Sequence, residues 1–98
     1  MIEYEVTLDV ETAIADDFLA WLRRHVDEML ALPGFTHATL HSLDTDDAER
    51  RGFCVRYRLT GREALDAYFH DHAERMRAGG IQRFGDTMHA SRRILSPL

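Results

Sequence analysis

From Ile2 to Val10 every second residue is apolar: Ile2, Tyr4, Val6, Leu8 and Val10 enclose Glu3, Glu5, Thr7 and Asp9. A period of two puts the apolar set on one side of an extended backbone and the polar set on the other, which makes the run a half-buried strand. The period then lengthens. Phe18, Leu22, His25 and Met29 fall on one stripe of a helix from about Ile14 to Leu30. Asp16 and Asp17 near its start suit the positive end of the helix dipole, and Pro33-Gly34 stops it. The same unit occurs again. Phe53, Val55, Tyr57 and Leu59 alternate with Cys54, Arg56, Arg58 and Thr60. A second helix then runs from about Arg62 to Ala78, capped by Thr60 or Gly61 and closed by Gly79-Gly80.

Between and after these units, Phe35 to Leu43 reads as a weaker strand, Asp44 to Glu49 as an acidic turn and Thr87 to Leu95 as a last strand. The order is βαββαβ. Leu65, Phe69, His72 and Met76 repeat the spacing of the first helical stripe, and Tyr68 precedes His72 as Trp21 precedes His25, the echo expected of two βαβ halves. Right-handed crossovers lay both helices on one face of a four-stranded antiparallel sheet, the ferredoxin-like α+β architecture. With the first and third strands central, the other face carries Glu3, Glu5 and Thr7 beside Cys54, Arg56 and Arg58. His37, Thr39 and His41 flank them on one edge, and His89, Ser91 and Arg93 on the other.

At 98 residues the chain is one domain with one core, able to bury about two-thirds of its unfolded surface. The start from Met1 lacks the basic end and continuous apolar run of a secretory signal, and no apolar stretch approaches the roughly 20 residues that span a bilayer. Cys54 stands alone, which rules out an intrachain disulfide and fits a reducing compartment. The expected location is the cytoplasm, with no membrane partner. A formal net charge of -5 speaks against a nucleic-acid partner. Tyr4, Phe53 and Tyr57 also point toward the helices rather than offering an open stacking platform for bases. The chain has no Gly-rich phosphate loop, nucleophile elbow or His-Glu-x-x-His helix. No cofactor is expected.

Three stretches belong together: Trp21-x-x-x-His25, Tyr68-x-x-x-His72-Ala73, and Gly80-x-x-Arg83-Phe84-Gly85-Asp86 leading into Ala90-Ser91-Arg92-Arg93. They resemble the domain-of-unknown-function family 4286, small bacterial proteins with the dimeric α+β barrel fold. The resemblance covers nearly the whole chain and matches at His25, His72, Arg83 and Phe84, whereas Thr36 to Arg51 carries no placeable motif. It implies the fold and a sheet-to-sheet homodimer and carries no activity. Relatives at superfamily level include antibiotic-biosynthesis monooxygenases, muconolactone isomerases and ligand-sensing domains, so the fold does not decide the function.

Among candidate chemistries, His25 and His72 on the helical stripes suit either a general base or metal ligand, or a buried neutral core histidine. The second reading is preferred, and with it a packing role for the motif residues Trp21, His25, Tyr68, His72, Arg83 and Phe84. His70 and His72 lie on opposite sides of a helix, and His37 and His41 are about 13 Å apart along a strand, so no metal site is expected. Cys54 reads as a small residue rather than a nucleophile. The polar sheet face is the stronger candidate. Glu3, Glu5, His41, Arg56, Arg58, His89 and Arg93 would line the space between two sheets of a homodimer and bind a small anionic or polar molecule there. Against this stand a cofactor-independent isomerase or monooxygenase-like enzyme using a histidine or carboxylate of that face, and a protein-interaction module.

Overall fold

The computed structural model describes all 98 residues. The elements β1 (Ile2–Glu11), α1 (Ala15–Leu30), β2 (Phe35–Leu43), β3 (Arg50–Leu59), α2 (Arg62–Asp71), α3 (Ala73–Phe84) and β4 (Met88–Leu95) follow in the order that the periodicities imply. Single-turn helices join β1 to α1 and α3 to β4. The strands form one antiparallel sheet in the order β2-β3-β1-β4, with the helices on one face.

Alternation in the two central strands builds the core. Tyr4, Leu8 and Val10 of β1 and Phe53, Val55, Tyr57 and Leu59 of β3 are buried against Phe18, Leu22 and Met29 of α1 and against Leu65, Tyr68, Met76 and Phe84 of α2 and α3. Each such side chain, fully buried, contributes about 1.5–3 kcal/mol. Aromatic rings run through both halves. Phe18 meets Phe53 and Phe84 at 6.1 and 5.1 Å, and Phe35 meets Tyr57 and Tyr68 at 5.6 and 5.3 Å.

The second helix departs from expectation in three ways. It is broken at His72, where the backbone leaves helical geometry (φ -130). The buried positions explain the break: on a straight helix Tyr68 and Ala73 would lie about 140° apart, yet both are buried. Phe69, expected on the buried stripe, is therefore 37% exposed, its ring edge-on to Tyr4, while Tyr68 takes the core position. Nor does Gly79-Gly80 end the helix, which runs on to Phe84 and stops at Gly85, the residue with positive φ. Gly80 instead marks a close approach: a Cβ there would sit 2.9 Å from the Trp21 ring. At the start of α2, Gly61 is the capping residue, with no side-chain hydrogen bond from Thr60.

A bulge between Phe35 and His37 shifts the β2–β3 register. Strict alternation would put Phe35 on the same face as His37. The extra residue, Thr36, lets Phe35 enter the core while His37, Thr39 and His41 stay on the outer face.

Candidate functional site

Sheet register arranges the outer face in rows. Thr39, Arg56, Glu5 and Arg93 stand side by side across all four strands. On one side lies the row His41, Cys54, Thr7 and Ser91, and on the other His37, Arg58, Glu3 and Leu95. His89 pairs with Asp9 farther along β4, away from the central row.

The centre of this face is Glu5. Arg56 Nε donates to its Oε2 at 2.7 Å, and Arg93 Nε donates to its Oε1. The carboxylate is only 3% exposed, although it points away from the core, because its two partners cover it. Their own side chains remain 46% and 67% exposed. Glu3 and Arg58 make a looser pair at 3.8 Å, and the imidazole of His41 shares a hydrogen bond with Thr39 Oγ1 at 3.1 Å. Beside the cluster, burial first and the Glu5 charge second push the Cys54 thiol up, which keeps it protonated and a poor nucleophile.

The hydrogen bond from Arg93 holds the Glu5 carboxyl below its ordinary value of 4.5, with burial opposing and Arg56 assisting. The stabilisation is therefore complete above about 4.5 and is lost as pH falls through the lower folded value. Glu5→Gln should flatten the acid limb of a plot of melting temperature against pH and leave the neutral region nearly parallel to wild type. An unchanged acid limb would show that Glu5 carries no such linkage.

The motif residues lie on the helix side. Trp21 packs against Phe18 and Phe84, and its indole stacks on the imidazole of His25 at 4.7 Å and 16°. Tyr68 is in the core, and the Arg83 guanidinium lies over the Phe84 ring at 5.2 Å. Neither histidine is fully buried as expected. His25 is half-buried at the rim, and burial, aided by Arg92 and opposed by Glu28, pushes its pKa below the ordinary value. His72 is half-buried at the helix break, where its Nδ1 accepts a hydrogen bond from Arg75 Nη2 at 2.7 Å.

Between α1, α3 and β4 lies a groove of about 400 Å³, walled by Trp21, His25, Met76, Arg77, Met88 and Arg92 among others. Sequence reasoning did not single out Arg77 or Arg92 as site residues. Arg92 carried a signal, since it shares the helix-facing parity of Met88, Ala90 and Ile94 on β4. No three His, Cys, Asp or Glu side chains are grouped so as to hold a metal ion, and no helix is long and apolar enough to cross a membrane.

Comparison with known proteins agrees with this geometry. The family described as Domain of unknown function (DUF4286) matches residues 1–98. No curated protein matches significantly. A Nitrosomonas europaea protein described as an antibiotic biosynthesis monooxygenase superposes with a TM-score of 0.70 at 16% identity, covering 100% of this chain and 99% of its own. SnoaB, a cofactor-independent oxygenase from Streptomyces nogalater, gives 0.67 at 12% identity, covering 99% and 93%. A variant of MhuD with two manganese protoporphyrin IX molecules bound per active site gives 0.67 at 18% identity, covering 100% and 95%. At these identities the likeness shows a shared fold.

Proposed function

The chain belongs to the family of the domain of unknown function DUF4286, and we propose that it works as a homodimer binding a small polar anion on the outer face of its sheet. The arrangement around Glu5 carries this reading. One carboxylate engages both guanidinium groups through Nε, and no side chain of the protein accepts from their terminal nitrogens. Two arginines and one glutamate leave a net positive charge in a fixed geometry, and a guanidinium fork suits a carboxylate or phosphate. The helices cover one face of the sheet. A second sheet laid over the other would exclude water and strengthen each of these contacts.

Light scattering should give twice the chain mass. In an NMR titration, inorganic phosphate or succinate should move the backbone amides of β1, β3 and β4. Arg56→Ala and Arg93→Ala should each weaken binding about tenfold, the worth of a hydrogen bond to a charged group. Arg23→Ala, on the exposed side of α1, should change nothing. A clean monomer at micromolar concentration, or shifts confined to the helices, would overturn the proposal. No response to either anion would favour a protein-interaction module instead.

A further inference from the structure

We propose that the groove between α1, α3 and β4 is a second binding site, separate from the sheet face, for a small hydrophobic carboxylate such as an arylacetate. At about 400 Å³ it lies within the range of small-molecule sites, and its lining is mixed as such sites are, apolar with a few convergent polar groups.

The first argument is charge. The chain holds 17 acidic against 12 basic residues, yet the ionisable side chains on the groove's side of the sheet are Arg77, Arg92 and His25, and no carboxylate is among the lining residues. Acidic Glu28 stands outside, in the adjoining hollow formed with Arg24 and Arg75. Arg77 and Arg92, like several other arginines of the chain, form no ion pair, so no carboxylate of the protein already occupies them. Two arginines without an ion-pair partner therefore line a cavity whose walls are otherwise largely apolar.

The second argument is an unsatisfied donor. Arg77 Nη2 donates to the hydroxyl of Tyr4 at 3.1 Å, which ties the guanidinium to the aromatic core. Its Nε is buried without any acceptor. A shielded donor on a charged group is costly to leave unpaired, and a small turn of the guanidinium toward a bound carboxylate would supply the missing partner. Because Tyr4 already holds the group, little freedom is lost when the ligand arrives.

The third argument is the fixed apolar wall. Glycine in a helix interior costs about 1 kcal/mol relative to alanine. The pair Gly79-Gly80 nevertheless lies inside α3, with the Trp21 ring 3.8 Å or less from where both Cβ atoms would be. That approach seats the indole between the helices, with His25 stacked on it. The apolar body of a ligand would lie along Trp21, Met76 and Met88, with its carboxylate toward Arg77 and Arg92.

Trp21 is the single tryptophan, so its fluorescence reports on the groove directly. With the full-length protein, phenylacetate should change that emission saturably, and inorganic phosphate should leave it unchanged. Phenylethanol, which keeps the ring and lacks the charge, should bind about tenfold more weakly, as should phenylacetate to Arg92→Met or Arg77→Met. Arg56→Ala should bind phenylacetate like wild type, which separates failure here from failure of the sheet-face reading. Should Arg77→Met not fold, Arg92→Met decides the matter, since Arg92 is exposed. Equal binding of phenylethanol and phenylacetate, an unaffected Arg92→Met, or no saturable response to phenylacetate at millimolar concentration would overturn the proposal.

Discussion

Phe18→Ala should lower the free energy of unfolding by about 3–5 kcal/mol, the range for truncating a buried aromatic residue. Phe18 has no exposed surface, and its ring meets Trp21 at 5.8 Å, Phe53 at 6.1 Å and Phe84 at 5.1 Å. It thus touches the first helix, a central strand and the end of the third helix at once. Removing it takes a contact from each, and a cavity framed by a sheet and two helices cannot close without moving one of them. Domains of this size have about 5–15 kcal/mol of stability, so the variant should sit near the limit of folding at 37 °C. Urea denaturation followed by circular dichroism would measure the loss, with an unchanged m-value confirming that the unfolded reference is the same. Phe18→Leu, which refills most of the volume, should lose about 1 kcal/mol. Equal losses from the two variants would mean that the site relaxes freely and is no keystone.

The strands and their partners were legible because alternation is a direct record of one-sided burial. Ile2, Tyr4, Leu8 and Val10 and their counterparts in β3 needed nothing beyond a period of two. Helix α1 was equally legible from its single stripe. The α2–α3 break was not, because it comes from a rotation of the buried face between Tyr68 and Ala73, and no glycine or proline stands there to announce it. Gly79-Gly80 pointed the wrong way for a related reason. A glycine pair signals a helix end through local propensity, whereas here it meets a tertiary demand, room for the Trp21 ring.

The two candidate sites differ in the same manner. Glu5, Arg56 and Arg93 stand on three strands, and parity alone puts them on one face. What parity does not give is register, which sets Glu5 directly opposite both arginines. The groove joins two helices and an edge strand far apart in the chain. Arg77 follows a buried methionine on a helix, and nothing local distinguishes it from a solvated arginine. Its Tyr4 partner lies 73 positions away. Sites built from register within one sheet are within reach of sequence reasoning, and sites built from packing between layers are not.

Gly34→Ala should cost about 3 kcal/mol or more, because two separate constraints meet at that residue. The first is conformational. Leu32-Pro33-Gly34-Phe35 is a tight turn with proline second and Gly34 third at φ +84, closed by a hydrogen bond from Phe35 N–H to the Leu32 carbonyl at 3.3 Å. This is the type II pattern, in which a residue with a Cβ at the third position costs about 1 kcal/mol. The second is steric: an added Cβ would lie 2.4 Å from the Cβ of Ala64 in the first turn of α2. The turn cannot move aside freely, since the Gly34 carbonyl accepts the Thr60 N–H at 2.9 Å just before that helix. One residue thus holds the exit of α1, the end of β3 and the start of α2 in register. A double-mutant cycle with Ala64→Gly separates the two effects. The steric part should vanish in the double variant while the conformational part remains, giving a favourable coupling of at least about 1 kcal/mol. Additive losses would show that the clash is absorbed elsewhere, and that the turn alone makes glycine necessary.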